Sequence, residues 1–383
     1  MHKKRVLVFA SHYLPGYKAG GPIRSLDNIF AQLGNDVEFY LVTLNRDHGE
    51  NKPYKGVYVN RWTKVGNVSV YYIDEDFPSK KTIVSIIDNL RPDSIYLNSL
   101  FSFGFSIHVL WVVLISKHRN IRVTLAPRGE LSRGALEQGR YKKLLFILLS
   151  KHIYMYKKIV WHASSNYEYD DIINAYGSFV NIKIASNLVD AAVVNSRSSF
   201  NLNRIKNEVR IIFVSRISKK KNLDYAIESL SSLSGKVVFD VYGPFEDKLY
   251  VNKCKKIASK MPNNINISFK GDVKHSEVSK LFKKYDVFYF PTKGENFGQV
   301  IWESMSCGCP VLISDQTPWD KVEKHNAGWI RSLANPDDFT EVLQGIVNNE
   351  KGYLVNRHDV CKYAFKISNT RENITANKKI FMN

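Results

Sequence analysis

The feature that most constrains this chain is an alternation of β-rich apolar runs and helical patterns that occurs twice. In the first half the runs are RVLVFAS, DVEFYLVT, DSIYLNS, RVTLAP and IVWHASS, with stretches such as PIRSLDNIFAQLG between them. The second half restarts with RIIFVSR, a helix over residues 222–232, KVVFDVYG, INISFKG, a helix over 276–284, DVFYFP and PVLIS. Near-continuous apolar runs separated by helices predict parallel strands covered on both faces. Two open α/β sheets are the economical reading, because 383 residues exceed one ordinary core. The boundaries fall at 1–186 for the first domain, a polar Ser- and Asn-rich linker over 187–208, and 209–364 for the second. The C-terminal segment, about 365–383, reads as a helix available to pack back on the first domain.

Composition removes several classes. A hydrophobic content of 44% excludes global disorder. Cys254, Cys307, Cys309 and Cys361 are too few and too irregular for a disulfide framework, which points to a reducing, cytoplasmic setting. Cys307 and Cys309 have the wrong spacing for a zinc knuckle, and no HExxH occurs, so no structural metal is expected. MHKKRVLVFAS reads as a first buried strand, not a signal peptide. The run from Leu100 to Ser116 is interrupted by polar residues and too short to span a bilayer. The formal charge of +19 favours phosphate-rich partners or anionic lipid. Nearly half of it lies between Lys117 and Lys158, where eleven Lys and Arg face two acids, Glu130 and Glu137.

In open α/β sheets, ligands bind beyond the carboxyl ends of the strands. The loop after the first strand, SHYLPGYKAGGPIRS, offers Gly16, Gly20 and Gly21 before Pro22 at a helix start. Such a loop suits a phosphate or a plain surface turn about equally, and it is not the GxGxxG of dinucleotide sites. In VSRISKKKNLDYAIESL, Arg216 and Lys219 to Lys221 precede a helix. Cations at that end oppose the helix dipole, so their clustering hints at an anionic ligand. Gly243 in DVYGPFED and Gly271 in SFKGDVKHSE follow β-rich runs and read singly as strand-to-helix turns. In KGENFGQVIWES, Glu295 falls in a loop and Glu303 on the second turn of a helix running from Gln299 to about Ser306. The free amides of Phe297, Gly298, Gln299 and Val300 would face an anion while the acids accept from hydroxyls, a pattern suited to a sugar beside a phosphate. Either acid alone would read as an ordinary surface charge.

With these pieces in order, the sequence resembles the retaining glycosyltransferases of family 4. The resemblance rests on AGGP, HASSNYE (His162 to Glu168), NLVD, SRISKKKNL, VYGP, KGDV and PTKGENFGQVIWESMSCGCPVLIS, and covers almost the whole chain. It implies the GT-B fold, two Rossmann-like domains with mostly parallel sheets facing across a cleft that holds the active site. By resemblance, Glu295 faces the donor sugar, and the amides from Asn296 through Phe297, Gly298 and Gln299 to Val300 serve sugar and diphosphate. Glu303 would accept from the ribose, Arg216 and Lys221 would bind the diphosphate, and the strand end from Lys270 to Val273 would flank the base. Gly243 belongs to the same donor loops, and Gly21 would bring the first domain's backbone to the phosphates. The family needs no protein nucleophile and usually no metal, so the triplet Asp74, Glu75, Asp76 reads as a surface turn. Where many relatives have a histidine, this chain has APRGELSRGAL, making Arg128 a candidate for donor or acceptor phosphate.

The resemblance implies a nucleotide-sugar donor, UDP preferred, with no separate cofactor, and a lipid-linked or oligosaccharide acceptor. It also implies a cytoplasmic enzyme of surface-polysaccharide synthesis, peripheral at the inner face of the membrane. In GRYKKLLFILLSKHIYMYKKI, apolar residues bracketed by lysines suit either a segment lying on anionic lipid or a buried helix with basic ends. Two other readings stand beside this one. A GT-B epimerase or phosphorylase is the first, the phosphorylase being disfavoured by the paired acids. A basic nucleic-acid-binding protein is the second, and no recognition motif supports it.

Overall fold

The computed structural model describes residues 3–137, 139–153, 155–190, 207–368 and 370–382, with backbone alone at 275 and 276. The chain divides into two compact units, Met1–Asp190 with Asn369–Asn383, and Ala191–Ser368. Most of the segment read as a linker, residues 191–206, lies outside the described residues.

The first unit holds β1 (Lys4–Phe9), β2 (Val37–Leu44), β3 (Trp62–Val65), β4 (Val68–Ile73), β5 (Ser94–Leu97), β6 (Arg122–Leu125), β7 (Val160–Ala163) and β8 (Asn181–Ile184). Their order across the sheet is β3-β4-β2-β1-β5-β6-β7-β8. Every pairing is parallel except β3 with β4. The helix Gly21–Leu33 turns Ile23, Leu26, Ile29, Phe30 and Leu33 onto the sheet, where they meet Val6, Val8, Phe39 and Leu41. This spacing of three and four is the apolar stripe of a helix with one face covered. The last helix, Arg371–Met382, belongs to this unit. Its Phe381 ring lies 5.2 Å from Phe39 and 5.1 Å from Tyr96.

The second unit contains β9 (Glu208–Val214), β10 (Lys236–Tyr242), β11 (Ile265–Gly271), β12 (Val287–Phe290), β13 (Val311–Ser314) and β14 (Gly328–Arg331). The order β11-β10-β9-β12-β13-β14 is all parallel. Counted from β9 this is 3-2-1-4-5-6, the doubly wound order whose switch point lies between the first and fourth strands. In the first unit, β1 between β2 and β5 makes the equivalent reversal.

Four strands escaped the sequence reading. β3 is a half-exposed antiparallel edge that follows a long polar loop, β4 is joined to it by the two-residue turn Gly66–Asn67, and β8 and β14 are four-residue strands. Their apolar signal is too short or too diluted to register as a run. The helix expected over 222–232 is a 3₁₀ turn at Lys219–Lys221 followed by a shorter helix, Leu223–Glu228. Asn222, in left-handed conformation at φ 62°, separates the two and donates from Nδ2 to Pro291 O at 3.0 Å. All four cysteines are free and buried, and burial pushes their thiols up to about 11 or 12.

Candidate functional site

The switch point of the second sheet is where the sequence motifs meet. Loops leave β9 and β12, adjacent strands, and are tied by Lys293 N to Lys220 O at 2.9 Å and Thr292 Oγ1 to Lys220 O at 3.2 Å. Across them Lys221 Nζ forms an ion pair with Glu295 Oε1. The two side chains are only 15% and 12% exposed. Thr292 Oγ1 reaches the same carboxylate oxygen at 3.2 Å, and Glu295 N donates to Gln316 O at 3.0 Å. Two residues expected to contact different parts of a ligand therefore hold each other.

The helix beyond begins as expected, at Gln299, and ends at Ser306. Gly298 stands before it at φ 72°, a left-handed position that disfavours a side chain, and no side chain caps the helix. Among the described residues no partner is found for the amides of Phe297, Gly298, Gln299 and Val300. Unpaired N–H groups at the positive end of a helix are a place for an anion. Trp319 fixes the approach: its Nε1 donates to Phe297 O at 2.5 Å and its ring lies 5.3 Å from that of Phe297. Thr292, Gln316 and Trp319 were not found by sequence reasoning, since nothing local marks them as neighbours of this loop.

The other expected donor residues surround this centre less tightly. Arg216 follows β9, is exposed, and stands 3.6 Å from Glu246 Oε1. Glu303 is half-buried on the second turn of the helix. Lys270 lies on β11, two strands away from β9, with Nζ 3.4 Å from Asp240 Oδ1, and Val273 is half-buried in the loop after it. Gly243 has a packing role: its amide donates to Gly271 O at 2.8 Å, and a Cβ there would sit 1.8 Å from Ser215 O.

In the first unit, Gly20 and Gly21 lie at the start of the helix after β1, and a Cβ on either meets nothing within 4 Å. Ile23 N and Arg24 N donate to Gly20 O at 3.2 and 3.4 Å. Arg128 makes three side-chain hydrogen bonds in this unit. Its Nε donates to Asn98 Oδ1 at 2.7 Å, Nη1 to Asn187 Oδ1 at 2.8 Å and Nη2 to Tyr96 Oη at 2.9 Å. The buried Glu168 accepts from Gly129 N at 2.6 Å and Ser164 N at 2.8 Å. Arg128 is thus built into the ends of the strands as a tie. At the neighbouring edge His12 Nε2 lies 3.4 Å from His48 Nδ1, and burial holds His12 below the usual imidazole range.

His162 completes the network, with Nδ1 2.7 Å from Tyr96 Oη and Nε2 2.8 Å from Ala185 O. The carbonyl can only accept, so Nε2 carries the proton and Nδ1 accepts from Tyr96. Burial first and the Arg128 charge second hold its pKa down at about 3. An unfolded chain binds this proton near 6.5, so the stability contribution is full above that pH and lost as pH falls toward about 3. The expected slope is up to about 1.4 kcal/mol per pH unit. Urea unfolding at pH 4 to 6 should show a flatter profile for His162→Gln than for wild type; parallel profiles would refute the assignment.

The triplet Asp74, Glu75, Asp76 is an exposed bend, with Asp76 paired to Arg46 at 2.6 Å. Among the described residues no group of three or more His, Cys, Asp or Glu is placed to hold a metal ion.

Two doubly wound, mostly parallel sheets in one chain, with ligand-facing loops at their switch points, define the GT-B class. Solved structures agree in fold. Anabaena Alr3699/HepE in complex with UDP and glucose superposes with a TM-score of 0.71 at 15% identity over 98% of both chains. The lipopolysaccharide outer core galactosyltransferase WaaB in apo form gives 0.64 at 15% identity, again over 98% of both. The family model for glycosyl transferases group 1 matches residues 195–367. A Klebsiella pneumoniae protein described as an uncharacterized 41.2 kDa protein in cps region is 23% identical over 285 residues, 73% of this chain and 75% of that protein.

Proposed function

We propose that the protein is a retaining, metal-independent hexosyltransferase that moves a sugar from a nucleotide donor, UDP-linked, to a lipid-linked or oligosaccharide acceptor in surface-polysaccharide synthesis. The observation that carries this reading is the Lys221–Glu295 pair at the β9/β12 switch point, beside the unpaired amides of Phe297 to Val300. Lysine has three N–H donors, so Lys221 can hold Glu295 with one and a diphosphate oxygen with another. Glu295 keeps acceptor capacity for sugar hydroxyls, and Glu303 takes the ribose. The amides and Arg216 stabilise charge on the departing diphosphate, and preorganised donors of this kind lower a barrier more than any other device open to such a site. In the step itself the bond from the anomeric carbon to phosphate oxygen breaks. The acceptor oxygen attacks from the same face, and its proton passes to the released phosphate.

The relatives lend support for donor and setting: one carries UDP and glucose, another acts in lipopolysaccharide outer core synthesis, and a third lies in a cps region. No helix of the described residues is long and apolar enough to cross a membrane, which suits peripheral work at the inner, anionic face of the plasma membrane. UDP-, GDP- and ADP-sugars should be compared for protection against heat and for slow hydrolysis. A UDP-sugar is expected to raise the melting temperature of wild type, with the shift reduced in Arg216→Ala and Glu295→Ala. Protection by none of the three, or equal protection of both variants, would defeat the reading.

A further inference from the structure

We infer that the protein pairs with a second copy of itself, two-fold and antiparallel, through the outer face of the helices Lys80–Leu90 and His108–Ile115 in the first unit. The inference stands apart from the function proposed above. After His108 every residue of the second helix, HVLWVVLI, is apolar. Val109, Leu110, Val112 and Val113 are buried in the core of the unit, which uses one side of the helix. A helix that is apolar all round is ordinarily covered all round. Here Trp111 and Ile115, one turn apart, are 50% and 54% exposed. Phe103, in the π-helical turn Phe103–Ile107 that leads into the helix, is 62% exposed.

A fourth apolar side chain is fixed beside them. The ring of Phe77, itself exposed, lies 5.7 Å from Phe103 and 5.4 Å from His108. A Cβ on Gly104 would come within 2.1 Å of Phe77 Cβ, so glycine at 104 is what lets Phe77 seat on the turn. Single exposed apolar residues are ordinary, but a row of them marks an interaction surface. Aromatic anchors, Trp above all, carry much of the energy of protein interfaces.

Charge selects a second copy as the occupant. At the Phe77 end stand the exposed Asp74 and Glu75, together with Lys81 where the first helix starts. At the Ile115 end stand the exposed Lys117 and Arg119, with Lys117 Nζ 2.8 Å from Asp88 Oδ1 near the end of the first helix. The two helices therefore run the same way, and the signs are exchanged between their ends. A two-fold axis across the helices lays each one antiparallel on its own image. Asp74 and Glu75 then meet Lys117 and Arg119 of the other copy, and Lys81 meets Asp88. Symmetry repeats each of these opposite-charge contacts, which fixes register as well as partner. A lipid surface of one sign would answer only half of the pattern.

Sedimentation velocity of the full chain from about 1 to 100 µM tests this. Wild type should reach twice the mass of one chain at the upper end, and salt should weaken the association. Trp111→Ser with Ile115→Ser should raise the dissociation constant at least about thirtyfold. Lys117→Glu with Arg119→Glu, which leaves the apolar row intact, should give monomer, and so should Asp74→Lys with Glu75→Lys. Mixed in equal amounts, the two charge variants should form a heterodimer, because antiparallel pairing sets one reversed end against the other. Should the serine variant fail to fold, the mixing result decides. A wild type still monomeric at about 100 µM, a dimer untouched by the serine changes or by the charge reversals, or charge variants that stay apart when mixed would overturn the proposal.

Discussion

Lys221→Ala should lower kcat by roughly 10²–10³-fold, the range seen when one preorganised charge-stabilising donor is removed. The ammonium sits where two adjacent strands end, and its ion pair with Glu295 holds both groups in a largely dry position before any ligand arrives. Its loss removes charge aimed at the diphosphate and leaves Glu295 with Thr292 Oγ1 at 3.2 Å but without its cation. Breaking a buried pair from one side can cost about 3–5 kcal/mol of stability, so unfolding of the variant must be followed alongside turnover. Lys221→Arg should recover part of the rate, because it restores the charge with a different geometry. A folded Lys221→Ala variant within twofold of wild-type kcat would remove the pair from the reaction.

Gly243→Ala is expected to cost about 3–5 kcal/mol, combining backbone strain with overpacking. At φ 132° the residue occupies a region that side chains rarely adopt, and the added Cβ would meet Ser215 O at 1.8 Å and Ser215 C at 2.6 Å. The contact is with backbone, so no rotamer change relieves it. Ser215 N also donates to Tyr242 O at 3.0 Å, and moving either loop would shift Arg216, the next residue. Gly271→Ala provides the comparison. Its φ of 75° is also left-handed, but a Cβ there meets nothing within 4 Å, so the cost should be about 1 kcal/mol. Urea midpoints for the two variants should differ widely, and equal midpoints would show that the loop crossing is soft.

Much of the candidate site was legible because its signals are local. The start of the helix at Gln299 follows from Gly298 and the apolar run beyond it, and the glycine loop before Pro22 announces itself by composition. What escaped was contact between distant segments. Arg128 stood in the sequence as a candidate for donor or acceptor phosphate, and folding brings its three nitrogens to Asn98, Tyr96 and Asn187, drawn from two separate places in the chain. Trp319 was invisible for the same reason, since its bond to the Phe297 carbonyl depends on a loop brought back to the end of β12.

The sequence by itself determined two open parallel sheets, the loops at their carboxyl ends and the residue types offered there, because apolar runs, helical periods and turn residues act over a few positions. Only the tertiary structure decided which of those residues share a charge. Glu295 and Lys221 lie 74 positions apart and meet because β9 and β12 pair across the switch point. It also decided that one stripe of the helix Arg140–His152 is covered and the other left bare. Strand order and the covering of helix faces are set by burial summed over the whole chain, which no short stretch of residues specifies alone.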